Sequence, residues 1–182
     1  MNKFTVTPHD TSLLVIDFQE KLVPAMYRSE PTIKNAGVLI KIADALDLPM
    51  VVTEQYPKGI GHTVESLSAL FGDTEPIEKV SFSACTEEVE GKLSEKPRQK
   101  ILIAGIEAHV CVFQTVRRLL EKNYEVYVVA DAVSSRTEAN YQNGLQLMRD
   151  MGAVITNTET VLFDLLKQST HPKFKELSKL IR

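Results

Sequence analysis

Short β-branched apolar runs alternate along this chain with longer segments of helical period, and that alternation restricts the fold more than any other feature. The runs fall at residues 13–18, 50–53, 77–82, 100–105, 126–131 and 153–156, the third weaker than the rest. Strands that are hydrophobic on both faces belong to parallel sheets, and joining parallel neighbours requires a crossover segment that covers a face of the sheet. The intervening segments have the period for it. Residues 32–46 place Ile33, Ala36, Gly37, Ile40 and Ala43 on one stripe, as a helix packed on a sheet requires. Pro49 ends that connection, residues 112–121 repeat the pattern with Val112, Val116, Leu119 and Leu120, and residues 138–151 close at Gly152. Further helices are expected at 161–167 and 174–181. The expected architecture is α/β, a three-layer αβα sandwich formed as a single domain over residues 1–182. Ligands in such sheets bind outside the carboxyl ends of the strands, near a topological switch point. Residues 54–61, with Pro57, Gly59 and Gly61, read as a long irregular loop of the kind that walls an active site.

Composition removes several classes of function. A net charge of -3 from 21 basic and 24 acidic residues gives no general attraction for a polyanion, so a nucleic-acid partner is not expected. No apolar run approaches the ~20 residues that span a bilayer, and the amino terminus lacks the apolar stretch of a secretion signal. No membrane partner is expected, and a cytoplasmic location follows. The two cysteines, Cys85 and Cys111, are too few for a disulfide framework and read as free thiols.

Three side chains at strand ends carry the chemistry. Asp17 ends the first run inside Val15-Ile16-Asp17-Phe18-Gln19, so a hydrophobic strand delivers a carboxylate to the carboxyl edge of the sheet. Such a charge is costly unless paired or used, although an Asp capping a turn or the next helix fits the string equally well. Lys79, at the end of the third run, can point an ammonium into the same crevice; alone it reads as a solvated edge residue. Cys111 opens a helix in Gly105-Ile106-Glu107-Ala108-His109-Val110-Cys111-Val112. A thiol at the positive end of a helix, beside a lysine, is expected to have a lowered pKa, and the unpaired N–H groups there suit an oxyanion. The alternative is a small buried hydrophobe, the commonest fate of a free cysteine and the reading assigned to Cys85. His109 reads as a wall residue. Four scattered histidines without metal-ligand spacing lead to the expectation of no metal and no cofactor.

Taken in order, Asp17-Phe18-Gln19, Lys79 followed by Phe82, the stretch from Gly105 to Val112, and Asp131-Ala132-Val133-Ser134-Ser135-Arg136 resemble the isochorismatase-like cysteine hydrolase superfamily. The resemblance runs from about Thr11 to about Thr158. It implies a six-stranded, mostly parallel, Rossmann-like sheet and a catalytic triad of Asp17, Lys79 and Cys111. It also implies a non-proline cis peptide at Ile106-Glu107, which turns the Glu107 N–H toward an oxyanion beside that of Cys111. Two departures narrow the activity. The region after the second strand reads Thr53-Glu54-Gln55-Tyr56-Pro57-Lys58-Gly59 where nicotinamide-hydrolysing members carry a metal-binding Asp-x-His motif, and Cys111 is present where isochorismate-cleaving members lack the cysteine.

The expected activity is cysteine-dependent hydrolysis of a C–N bond in a small amide-type substrate through a thioester, in a homo-oligomer. Phe18, Gln19, Gln55, Tyr56 and Phe82 flank the expected crevice and are candidates for its lining. A thiol-based peroxide-responsive protein with Cys85 as resolving cysteine, or a non-catalytic oligomeric interaction module, are the alternative readings.

Overall fold

A computed structural model describes residues 3–181. Six strands form one sheet in the order β3-β2-β1-β4-β5-β6: β1 (Thr11–Ile16), β2 (Met50–Gln55), β3 (Ile77–Lys79), β4 (Lys100–Ile106), β5 (Glu125–Ser134) and β6 (Val154–Thr156). Every pairing is parallel, not only most of them.

Alternation along each central strand divides its side chains between two cores. Leu13 and Val15 of β1, Leu102, Ala104 and Ile106 of β4, and Tyr127 and Val129 of β5 face one core. Leu14 and Ile16, Ile101 and Ile103, and Val126 and Val128 face the other. This is the period-two geometry of a strand buried on both sides, and it explains why these runs are apolar at every position. Helices α1 (Ser29–Ala45) and α7 (Thr158–Leu166) cover the first face, through residues such as Leu39, Ile40, Leu162 and Leu165. The second face is covered by α4 (Glu87–Glu95), α5 (Phe113–Glu121) and α6 (Glu138–Asp150), through Val89, Leu93, Val116, Leu119, Leu145 and Met148.

Helix starts follow local chemistry. Thr86, Thr137 and Asn157 each accept a hydrogen bond from the backbone N–H three residues on, capping α4, α6 and α7. Gly152, at φ 102°, ends the turn after α6.

Two expectations about the walls of the crevice need correction. Residues 54–61 are not an irregular loop: β2 runs on through Gln55, and Pro57–Ile60 form a short helix, α2. The third strand stops at Lys79 rather than Phe82. Pairing explains both ends, because Thr53, Glu54 and Gln55 lie in register with Ile77, Glu78 and Lys79, which carries β2 past the point where its apolar pattern stops. A second short helix, α3 (Glu65–Ser68), follows, and the expected terminal helix shrinks to α8 (Phe174–Leu177). Among the described residues, no helix is long and apolar enough to cross a membrane.

Candidate active site

The strand order reverses between β1 and β4, and the sequence-predicted residues gather there. Asp17 follows β1 directly, in the left-handed region at φ 58°, a conformation that Asp tolerates better than most residues. Cys111 lies five residues beyond β4. The two strands approach closely at this point: a Cβ on Gly105 would stand 2.6 Å from Cβ of Ile16 and 2.8 Å from its carbonyl oxygen. Lys79 reaches over the end of β2 from β3, and its Nζ lies 2.6 Å from Asp17 Oδ2.

The carboxylate is fully buried and fully engaged. Its Oδ1 accepts from the Thr53 hydroxyl at 2.8 Å and its Oδ2 from Lys79, and the Cys111 thiol bears on its ionisation. Burial pushes the Asp17 pKa above its usual value, against the pull of Lys79, Thr53 and Cys111. Thr53 was not legible as a site residue, because a β-branched residue ending an apolar strand carries no signal of its own. Only the register pairing of Ile16 with Thr53 sets its hydroxyl beside Asp17.

The expectation of a lowered thiol pKa at Cys111 is overturned. Burial and the adjacent Asp17 carboxylate push it up to about 12, outweighing the Lys79 ammonium and the Glu107 N–H that favour the thiolate. Cys111 is only 6% exposed, and removing an anion from water raises a thiol pKa whatever the helix end contributes.

The Ile106-Glu107 peptide is cis, as the resemblance implied. Beyond it, residues Ala108–Val112 form a wide turn of π type, so Cys111 sits inside that turn and not on the first residue of α5. The Glu107 carbonyl accepts from Val110 N at 3.0 Å and Val112 N at 3.1 Å, while the Glu107 N–H favours the anionic form of the Cys111 sulfur. The turn is fastened from three sides. Thr115 donates its hydroxyl to the Cys111 carbonyl at 2.6 Å and accepts from Ala84 N at 2.8 Å. His109 Nδ1 lies 3.0 Å from Ser135 Oγ, and Arg136 Nε pairs with Glu107 Oε1 at 2.8 Å. Gly144 of α6 admits the turn's backbone, since a Cβ there would lie 2.9 Å from the Ala108 carbonyl oxygen.

The five lining candidates are placed unequally. Phe18 is buried in the core under α1. Gln19 is also buried, its amide bonded to the backbone of Gln55 and Gly61. Gln55 bonds the Lys79 ammonium and the Val80 carbonyl. Tyr56 and Phe82 are exposed, at 54% and 55%, and Phe82 presents its carbonyl to Lys79. Tyr56, Pro57, Val80 and Thr86 line an open cavity of about 370 Å³ beside Lys79. A larger cavity, about 560 Å³, lies at the opposite edge of the sheet among Leu48, Met50, Phe71 and Leu93, remote from this chemistry. Cys85 is a half-buried free thiol, donating to the Thr115 carbonyl at 3.8 Å. Among the described residues, no three His, Cys, Asp or Glu side chains gather as a metal ion would require.

Comparison with known proteins gives the family and the fold. The isochorismatase domain family matches residues 11–160. Isochorismatase domain-containing protein 2 of Danio rerio is 41% identical over 170 residues, which cover 93% of this chain and 85% of that protein. The solved structure of MAR1 ribonuclease from Caenorhabditis elegans is similar at a TM-score of 0.93 and 41% identity, covering 97% of this chain and 92% of that one. The Escherichia coli YcaC gene product, described as an octameric hydrolase of unknown specificity, shares the fold at a TM-score of 0.90 and 22% identity, over 97% of this chain and 89% of its own. This chain belongs to the isochorismatase domain family.

Proposed function

We propose that the protein is a cysteine hydrolase that cleaves the C–N bond of a small amide-type substrate through a thioester on Cys111. One observation supports the reading: carboxylate and ammonium, brought from the ends of β1 and β3, pair at 2.6 Å, and both act electrostatically on the buried thiol beyond β4.

The raised thiol pKa shapes the mechanism. The thiolate is not waiting at neutral pH, so the sulfur attacks the carbonyl as its proton passes to Asp17, whose own raised pKa suits it to that exchange. The N–H groups of Glu107 and Cys111 receive the oxyanion. Collapse breaks the C–N bond, and Asp17 returns the proton to the departing amine. Water then attacks the thioester with Asp17 as base, releasing a carboxylic acid and restoring the thiol. Lys79 holds the carboxylate in place. The octameric YcaC relative favours a homo-oligomer.

The test is ammonia release from a panel of small amides, with the acyl adduct followed by intact mass. Wild-type protein gains the acyl mass and Cys111→Ala does not; turnover surviving that substitution ends the proposal. The name of the Caenorhabditis elegans relative supplies a second reading, cleavage of RNA. A net charge of -3 speaks against it, because phosphate contacts dominate such binding. An RNA arm in the same assay, showing cleavage that Cys111→Ala abolishes and no amide turnover, would replace the amide reading. The redox reading needs a thiol of low pKa, whereas Cys85 and Cys111 are pushed up to about 11 and about 12.

A further inference from the structure

The two glutamines near the site are tied to its scaffold. Gln55 Oε1 accepts from Lys79 Nζ at 2.8 Å and its Nε2 donates to the Val80 carbonyl at 2.8 Å. Turning that amide over would set its NH₂ against an ammonium and its oxygen against a carbonyl oxygen, so only one orientation is tolerated. The Gln55 backbone is gripped in turn by buried Gln19, whose Oε1 accepts from Gln55 N at 2.7 Å and whose Nε2 donates to the carbonyls of Gln55 and Gly61 at 2.9 and 2.6 Å.

Lys79 Nζ consequently meets acceptors only: Asp17 Oδ2 at 2.6 Å, Gln55 Oε1 at 2.8 Å, and the carbonyls of Ser81 and Phe82 at 3.3 Å each. An ammonium has three donors and nothing to accept with, whereas a neutral amine would turn a lone pair toward one of these oxygens. The surroundings therefore fit the charged form alone.

We propose that Gln55, clamped by Gln19, is a positioning residue for Lys79, holding its Nζ aimed at Asp17 so that the proton leaving Cys111 has one destination, the Asp17 carboxylate. The inference rests on the hydrolase reading of the site, but its test needs no substrate. In a Cys85→Ser background, carbamidomethylation of Cys111 by iodoacetamide is timed by intact mass from about pH 7 to about pH 10, where a thiol of high pKa reacts about tenfold faster per pH unit.

Gln55→Met keeps the length of the side chain and offers no carbonyl. Lys79 is then no longer held in place, the thiolate loses its nearby cation, and alkylation falls about tenfold behind the parent across the range. Gln55→Asn, one methylene too short, follows the Met variant. Gln55→Glu restores an acceptor and with it part of the parent's rate, the remainder being lost to the added negative charge. A role in packing alone has the opposite sign, since loosening the site exposes Cys111 and speeds alkylation. Met and Asn variants that stay within about twofold of the parent at every pH, or react faster, overturn the proposal; should the Met variant not fold, by thermal melting, the Asn and Glu variants decide. Altered profiles in these variants, with no amide turnover or acyl adduct in the parent, remove the hydrolase and leave the positioning role. Intact turnover with unaltered profiles removes the positioning role alone.

Discussion

Lys79 Nζ and Asp17 Oδ2 meet at 2.6 Å with neither side chain reaching solvent. Breaking such a pair by removing one partner strands the other charge in a medium that cannot solvate it, at about 3–5 kcal/mol, whereas removing both leaves no charge to strand. Lys79→Met should therefore lose about 3–5 kcal/mol in urea denaturation. The double variant Asp17→Asn with Lys79→Met should lose distinctly less than the sum of the two single losses. Additive losses would mean that the two side chains do not compensate one another.

The thiol beside them gives a pH-dependent prediction. With the Cys111 pKa pushed up to about 12, the thiol form dominates at neutral pH. Alkylation of Cys111 should climb about tenfold per pH unit up to about pH 11 without a plateau. Asp17→Asn removes the second largest cause of the elevation. It should speed alkylation at pH 8 by about tenfold while reducing amide turnover by about 10²-fold or more, because the same carboxylate that suppresses the thiolate is the base. Both rates moving in one direction would contradict that double role. A plateau below pH 9 in the wild type would contradict the high pKa.

Why some of this was legible in the sequence and some was not follows from the range of the interactions. β1 and β4 could be read from their residues because both faces are buried, which leaves an uninterrupted apolar run whatever the neighbours are. Asp17, Lys79 and Cys111 stood out because each is a reactive group where an apolar strand ends. The end of β2 could not be read, since Pro57, Gly59 and Gly61 signal a loop while its last residues are held by register with β3. The bonds of Gln19 and Gln55 could not be read for the same reason: an amide's residue type does not reveal that its partners are backbone and ammonium from remote segments. The Cys111 pKa failed in direction, because the helix end is a local feature while burial and the Asp17 contact are products of the whole fold.

At the amino edge of the sheet, Asp10 ties the first loop to β4. Its carboxylate accepts from Thr7 N and the Thr7 and Thr11 hydroxyls, and pairs with the nearly buried Lys100 at 2.9 Å. Partial burial works against ionisation, and Lys100, Thr7 and Thr11 together overcome it, holding the pKa down at about 2. A carboxyl with a folded pKa below its unfolded value of about 3.9 stabilises the fold above that unfolded value. The contribution fades as pH falls toward about 2. Asp10→Asn should cost about 1 kcal/mol at pH 7, a figure already reduced for solvent screening at a partly exposed group. Denaturation midpoints of wild type and variant should converge as pH falls from about 5 to about 2. A difference independent of pH would assign the effect to the neutral hydrogen bonds alone.

Gly144 tests how finely the cysteine turn must be placed. It lies within α6, where alanine is the better helix former by about 1 kcal/mol, so propensity alone predicts that Gly144→Ala stabilises the protein. The added methyl would, however, stand 2.9 Å from both the carbonyl carbon and oxygen of Ala108 and 3.0 Å from His109 N. These are backbone atoms of the turn that carries Cys111, which cannot swing aside as a flexible side chain can. Relief requires α6 and the turn to separate by several tenths of an ångström, at about 1–3 kcal/mol for overpacking, which outweighs the propensity gain. Because the displaced peptide lies between Glu107 and Cys111, the shift also misaligns the two N–H groups proposed to receive the oxyanion. The expected result is a net loss of about 1 kcal/mol or more in denaturation and a fall in kcat of about tenfold or more with KM little changed. A Gly144→Ala protein more stable than wild type, with kcat intact, would show that α6 and the cysteine turn can part without consequence.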